Sequence, residues 1–296
     1  MIVVAVASQK GGAGKTTLAG HLAVEAENAG FGPVTLIDTD PQGSLSQWWN
    51  TRAARTPQFA KVGAFELQSA LAHLSRTGTK IAFIDTPPAI SDSISHVIAH
   101  CDLVVVPTRP SPHDLRAVGA TVDMAERFGK PLIFVVNGAT LRARITGEAA
   151  VALSQHGVVA PVILHHRVDF AASMVDGRTV GEAAPKSASA KEITDLWLYI
   201  QDRLARITTD ANLALEARRT QLSAEANQLD GEATAIEAAL VAAAPAANVA
   251  KFPPGDRRDG PERRMRTTPF AGPERRVNVF GRRNAEQQHQ DVANRK

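Results

Sequence analysis

One cysteine in 296 residues is the first constraint on this chain. A disulfide needs two thiols and an iron–sulfur cluster needs several, so Cys101 serves neither within one chain and reads as a buried core thiol. Tyrosine also occurs once, at Tyr199, and aromatic residues are only 5% of the whole. No apolar run approaches the ~20 residues of a membrane-spanning helix. The chain opens on a short apolar segment and a glycine-rich loop, not on a signal peptide. These absences predict a cytoplasmic protein with no membrane attachment. Charge of one sign is scarce overall, at net +3, but it is unevenly placed. Residues 251–296 carry 12 Lys and Arg against 6 Asp and Glu, and the remainder carries 21 against 24.

What is present begins at once. Ile2-Val3-Val4-Ala5-Val6-Ala7 reads as a buried strand, and Thr17 to Val24 reads as a helix. Between them stand Ser8-Gln9-Lys10-Gly11-Gly12-Ala13-Gly14-Lys15-Thr16-Thr17. Strand, glycine-rich loop and helix in that order form a phosphate cradle: small residues let backbone amides curl round phosphates, and the helix N-terminus adds partial positive charge. Lys15 supplies a full charge and Thr16 a hydroxyl for Mg²⁺. The ordinary pattern G-x-x-x-x-G-K-[ST] fails, because Gln9 stands where its first glycine belongs. The variant K-G-G-x-G-K-T fits throughout.

Two carboxylate-bearing segments complete the pattern. Val34-Thr35-Leu36-Ile37-Asp38-Thr39-Asp40-Pro41 is an apolar strand running into a loop, with Asp38 and Asp40 on one face if the strand stays regular. Lys80-Ile81-Ala82-Phe83-Ile84-Asp85-Thr86-Pro87 is a second such strand. In α/β sheets ligands gather at this carboxyl edge.

The loop with its two lysines resembles the deviant Walker A signature of the ParA/MinD family of ATPases. The segments ending in Asp38–Asp40 and in Asp85 are similar to that family's Walker A′ and Walker B motifs. The likeness continues in order through Leu103–Thr108 with the following Arg109–Leu115, through Pro131–Asn137, and through Gly177–Glu182 with Lys186, to residue 204. It implies that ATP and Mg²⁺ are the cofactors. Lys10, Gly11, Gly12, Ala13, Gly14, Lys15, Thr16 and Thr17 would bind the phosphates, and Asn137 the adenine. Thr16, Asp38 and Asp85 would serve the metal, with Asp85 acting through water. Lys10, Lys15 and Asp40 would be catalytic: Lys10 reaches the phosphates of the partner subunit in a nucleotide-sandwich homodimer, and Asp40 positions the attacking water. Ser111 or Asp114 is expected to cap the next helix.

The expected fold is α/β: a doubly wound, mostly parallel sheet with helices on both faces, spanning residues 1–205. A helical extension follows at 206–244. There Leu215, Leu222, Leu229 and Ile236 repeat every seven residues, but Asn212, Arg219, Ala226, Ala233 and Leu240 make a mediocre companion seam. A helix or hairpin lying on the core or an adaptor, a self-associating coil, and a loosely ordered segment all remain open. Residues 245–296 are rich in Pro, Gly, Arg and Gln without periodicity, which predicts a basic disordered tail. Within it Gly260-Pro261-Glu262-Arg263-Arg264 recurs as Gly272-Pro273-Glu274-Arg275-Arg276. The tail suits either salt-sensitive contact with nucleic acid phosphates or plain solubilisation.

Within the family the composition narrows the choice. Iron proteins of the nitrogenase type need bridging cysteines, related tyrosine kinases need a tyrosine cluster, and MinD-type proteins end in an amphipathic membrane helix. With the phosphate loop so close to Met1, the extra N-terminal DNA-binding domain of larger partition ATPases is not expected. An amidoligase would need a further folded domain, and residues 206–296 do not offer one. The resemblance therefore implies a slow, partner-stimulated ATPase that dimerises with ATP and binds nonspecific DNA. It would position or segregate cargo under a ParB-like or adaptor activator, and be cytoplasmic and nucleoid-associated. The alternative is an ATPase accessory factor of conjugation or secretion that recruits DNA-processing proteins. Arg142, Arg144, Arg167, Arg178 and Lys186 are the candidate DNA contacts. Trp48-Trp49 is expected to anchor a helix, and His165-His166, without a nearby carboxylate in the sequence, is not expected to bind metal.

Overall fold

The computed structural model describes residues 1–88 and 92–243. The expected tail at 245–296, with its arginines and repeated motif, lies outside the described residues. Eight strands form one sheet: β1 (Ile2–Val6), β2 (Val34–Asp38), β3 (Gln58–Lys61), β4 (Ile81–Asp85), β5 (Leu103–Thr108), β6 (Leu132–Ala139), β7 (Val158–Val159) and β8 (Leu164–His165). They run β3-β2-β4-β1-β5-β6-β7, with β8 also paired to β6. Every pairing is parallel. The central strands β2, β4 and β5 are buried along their whole length, as continuous apolar runs covered on both faces should be. β3 escapes the sequence pattern because it is an edge strand whose terminal Gln58 and Lys61 are exposed.

Helices α1 (Lys15–Ala26), α2 (Ser44–Thr51), α3 (Leu67–Arg76), α4 (Asp92–Ala99), α5 (Pro112–Arg116), α6 (Gly119–Arg127), α7 (Arg144–Ser154), α8 (Val168–Met174), α9 (Val180–Ala183) and α10 (Ala188–Ala243) alternate with the strands or follow them. Side chains of a strand point to opposite faces in turn, and β1 feeds two cores accordingly. Val4 and Val6 join Leu18, Leu22 and Trp197 of α1 and α10 on one face. Val3 and Ala5 join Ile94, Ile98 and Val122 of α4 and α6 on the other. Cys101 sits in this second core, and burial pushes its thiol up to about 12.

Local signals behave as their chemistry demands. Ser111 caps α5, accepting from the Asp114 amide at 3.2 Å, with Pro112 in the first turn. Trp48 is buried against Gly20, and its indole N–H donates to the Arg178 carbonyl. Trp49 stacks on Phe59 and donates to the Pro57 carbonyl.

The chain divides into Met1–Ala233 and Thr234–Lys296. In the first unit α10 packs through Leu196, Trp197, Ile200 and Leu204. It crosses position 205 without a break, and in this unit side chains 208–233 are exposed. A hairpin, or a helix lying on the core, is therefore corrected within this unit, where α10 runs unbroken and leaves the core near Ile207. Leu215, Leu222 and Leu229 of the seven-residue repeat are exposed there. No described helix is long and apolar enough to cross a membrane.

Candidate functional site

β1 lies between β4 and β5, where the strand order reverses direction, and ligand crevices form at such switch points beyond the carboxyl ends of the strands. The glycine-rich loop leaves β1 there. Gly14 caps α1 with φ 93°, in the left-handed region open to glycine. A Cβ at this position would also stand 2.3 Å from the Asn137 amide nitrogen. That nitrogen donates to the Ala13 carbonyl at 2.7 Å, so the end of β6 clamps the loop from the side.

Lys15 is buried and donates to the Lys10 carbonyl at 3.3 Å. Burial holds its ammonium below the ordinary lysine value, opposed by the charges of Asp85 and Asp40. The Lys10 side chain is exposed. Thr16 Oγ1 donates to Asp85 Oδ2 at 2.6 Å. The other oxygen of that carboxylate, Oδ1, is buried with no hydrogen-bond partner among the described residues. Burial, with Asp38 and Asp40 nearby, pushes Asp85 up to about 7 against the pull of Thr16 and Lys15.

Strand register explains how separate acidic segments meet. Asp38 pairs with Asp85, which pairs in turn with Val6 at the root of the loop. Asp38 is fully buried, and its carboxylate is engaged by the chain itself. It accepts from the Asp40 amide at 3.0 Å, the Ser46 amide at 2.9 Å and the Ser46 hydroxyl at 2.5 Å. Since Gly43 at the start of α2 has no side chain, Asp38 caps that helix from the neighbouring strand. Asp40 is half-exposed, steadied by the Gln42 amide at 2.9 Å.

Two cavities flank the loop. One of ≈ 600 Å³ is lined by the loop glycines, Lys15, Thr16, Asp40 and Arg109. The other, of ≈ 180 Å³, is lined by Asn137, Gly138, Phe170 and the His165–Arg167 segment, again with Arg109. The first is cationic and rich in backbone amides, which suits phosphates. The second carries both apolar side chains and an amide, which suits a heterocyclic base. Among the described residues no three His, Cys, Asp or Glu side chains are grouped to hold a metal unaided. Mg²⁺ does not require that, because it keeps waters and shares substrate phosphates. The orphaned Asp85 oxygen beside the Thr16 hydroxyl fits such an ion.

The candidate basic residues divide. Arg142, Arg144, Arg178 and Lys186 are exposed, with Arg144 paired to Glu148 and Arg178 to Asp176. Arg167 is largely covered and bound to Glu192 at 2.6 Å. β6 and β8 pair at Ala139 and His165, so the segments bearing Arg142, Arg144 and Arg167 leave adjacent strand ends. His165 does have a carboxylate partner, contrary to the sequence expectation: its Nδ1 lies 2.7 Å from Glu192. Burial alone would raise Glu192, but hydrogen bonds from Arg167 and His165 outweigh it and hold the carboxyl below its ordinary value. This is an ion-pair cluster. Sequence pattern also missed Ser46, Glu192 and Arg109; only Arg109, standing directly after a buried strand, had a position that could have marked it.

With this geometry established, residues 4–196 match the CobQ/CobB/MinD/ParA nucleotide binding domain. The chain is 28% identical over 199 residues to maintenance of carboxysome distribution protein A of Halothiobacillus neapolitanus, covering 64% of this chain and 90% of that one. It is 28% identical over 228 residues to the chromosome-partitioning ATPase Soj of Thermus thermophilus, covering 63% and 90%. The solved ATP complex of Cyanothece McdA(D38A) has the same fold, with a TM-score of 0.58 and 17% identity over 68% of this chain and 96% of that one. The chain belongs to the CobQ/CobB/MinD/ParA family of nucleotide-binding proteins.

Proposed function

We propose that this member of the family is an ATP-dependent dimerisation switch that binds nonspecific DNA, positions or segregates cargo, and hydrolyses ATP under stimulation by an adaptor protein. The observation that carries the reading is the meeting of Lys15, the Thr16–Asp85 pair and Asp40 around one cavity beside an amide-lined loop. Loop amides and Lys15 bind the phosphates, and preorganised positive charge is where phosphoryl transfer gains most. Mg²⁺, when bound, neutralises charge on the transferring phosphoryl group. Thr16 would hold it directly and Asp85 through water, with Asp38 flanking them as a buried negative charge. Asp40, the half-exposed carboxylate at the cavity wall, orients the attacking water.

Lys10 projects into solvent from the same loop, free to reach a second copy, which would make turnover conditional on pairing. The exposed Arg142, Arg144, Arg178 and Lys186 are proposed DNA contacts, and the covered Arg167 is the weakest of the five. Nucleoid association follows if they act so. The carboxysome-distribution and chromosome-partition relatives support a positioning role.

The test is binding of the full chain to arbitrary duplex DNA across a salt titration with ATP, ADP or no nucleotide. ATP-dependent binding that weakens steeply with salt is expected. Binding indifferent to nucleotide would direct the output to a protein partner instead.

A further inference from the structure

We infer that Arg109 is a nucleotide-binding residue that grips the phosphate chain from the side opposite the loop, where the two cavities join. The inference rests on the nucleotide reading of the site and adds to it a residue that the motifs do not contain.

Arg109 follows the last residue of β5, the strand beside β1 at the switch point. Its guanidinium nitrogens stand 3.9 and 4.0 Å from where a Cβ on Gly12 would lie. Its Cγ and Nε stand 3.8 Å from the corresponding point at Gly138, just beyond Asn137. The side chain thus bridges from the end of β6 to the phosphate loop, over two positions that carry no side chain to obstruct it. Gly14, Thr17 and Arg109 are the residues common to the linings of both cavities. A ligand filling both must pass its connecting group between Gly14 and Thr17 on one side and Arg109 on the other.

For a nucleotide with its base in the smaller cavity and its terminal phosphates in the larger, that connecting group is the ribose and α-phosphate. A guanidinium is planar, always charged and matched to two phosphate oxygens at once. The nearby arginines have other work: Arg52 is bound to Glu182, and Arg167 to Glu192. The Arg109 carbonyl accepts from the Ser111 amide, but its guanidinium has no hydrogen bond or ion pair among the described residues, so no carboxylate there competes with a phosphate for it. Its exposure also means that no core packing depends on it.

An α-phosphate contact, unlike one to the γ-phosphate, should weaken ATP and ADP alike, because both carry that group. Calorimetric titration of the full chain with Mg-ATP and Mg-ADP should show Arg109→Ala binding both nucleotides about 10-fold more weakly, by the same factor. Arg109→Lys should recover part of the loss. KM for ATP should rise with kcat at saturation little changed, and the thermal melt should match wild type. Unchanged affinity in Arg109→Ala, with binding abolished in Lys15→Ala, would overturn the role of Arg109 and leave the nucleotide site standing. A loss confined to ATP would move the contact to the γ-phosphate and overturn the α-phosphate placement. Failure of the wild-type chain to bind either nucleotide would overturn the functional reading itself.

Discussion

The loop from Ser8 to Thr17 and the outer part of α10 are both written in short sequence patterns, yet they are supported in opposite ways. The loop has little regular structure, but its neighbours hold it: Asn137 takes the Ala13 carbonyl, Asp85 takes the Thr16 hydroxyl, and Lys15 spans back to Lys10. The outer helix is regular, but residues 208–233 are exposed. Its side-chain support is local, as in the pairs Gln221–Glu225 and Gln228–Glu232. Such pairs contribute only a few tenths of a kcal/mol each, roughly 0.2–0.5. Regular geometry and tertiary support are therefore separate properties here. The irregular segment is the better anchored of the two.

That contrast can be broken most sharply at Lys15. Lys15→Ala removes the one buried cation of the loop and should abolish measurable nucleotide binding and turnover, read by calorimetry and phosphate release. Turnover close to wild type would detach the loop from the chemistry. Next in size is a pair of leucines on the same helix. Leu196→Ala, in the packed part of α10 with no exposure, should cost about 2–5 kcal/mol in urea unfolding. Leu222→Ala, in the outer part at 48% exposure, should change stability by no more than about 0.5 kcal/mol. Similar losses at both would mean that the outer helix is covered in solution.

A subtler probe is pH. His21 is buried between two fixed partners: its Nδ1 lies 2.8 Å from the Thr17 carbonyl, and the Val180 amide donates to its Nε2 at 3.1 Å. The ring is thus neutral, with its proton on Nδ1, and burial pushes its pKa down to about 4. An unfolded histidine titrates near 6.5, so protons favour the unfolded chain between the two values. Stability from this group is complete above about pH 6.5 and declines as pH falls toward 4. By linkage the loss is about 3 kcal/mol. NMR titration of the His21 ring in the folded chain checks it apart from Asp85, whose raised pKa acts on stability in the opposite sense, and an apparent pKa near 6.5 would show that the ring is solvated in the folded state.

Much of the fold was legible because its signals are local. A strand buried on both faces must be a run such as Leu103 to Thr108, and the acids that close β2 and β4 are visible as the first polar residues after such runs. β3, with a polar residue at each end, carries no such run, and it was missed. In the candidate site, the structure brings together Lys15, Thr16, Asp40 and Asp85, which their type and position single out in the sequence. The engagements of Asp38 and Asn137 were not. Asp38 caps a helix through Ser46, and Asn137 spends an amide hydrogen on the loop itself. Glu192 was hidden from His165 and Arg167 by more than twenty residues of chain.

By itself the sequence determined the alternation of strand and helix, the phosphate loop and the acidic strand ends. Each of these depends on residues that are contiguous in the chain: phosphates are held by successive amides, and an apolar run buries itself wherever it is placed. Tertiary structure alone decided that Thr16 meets Asp85 across 69 positions, that Ala13 meets Asn137 across 124, and that His21 meets Val180 across 159. It also set Arg109 over Gly12 at the join of two cavities. Such contacts follow from the order and register of the strands, which are chosen by packing the whole sheet between two cores, and no local pattern encodes that choice.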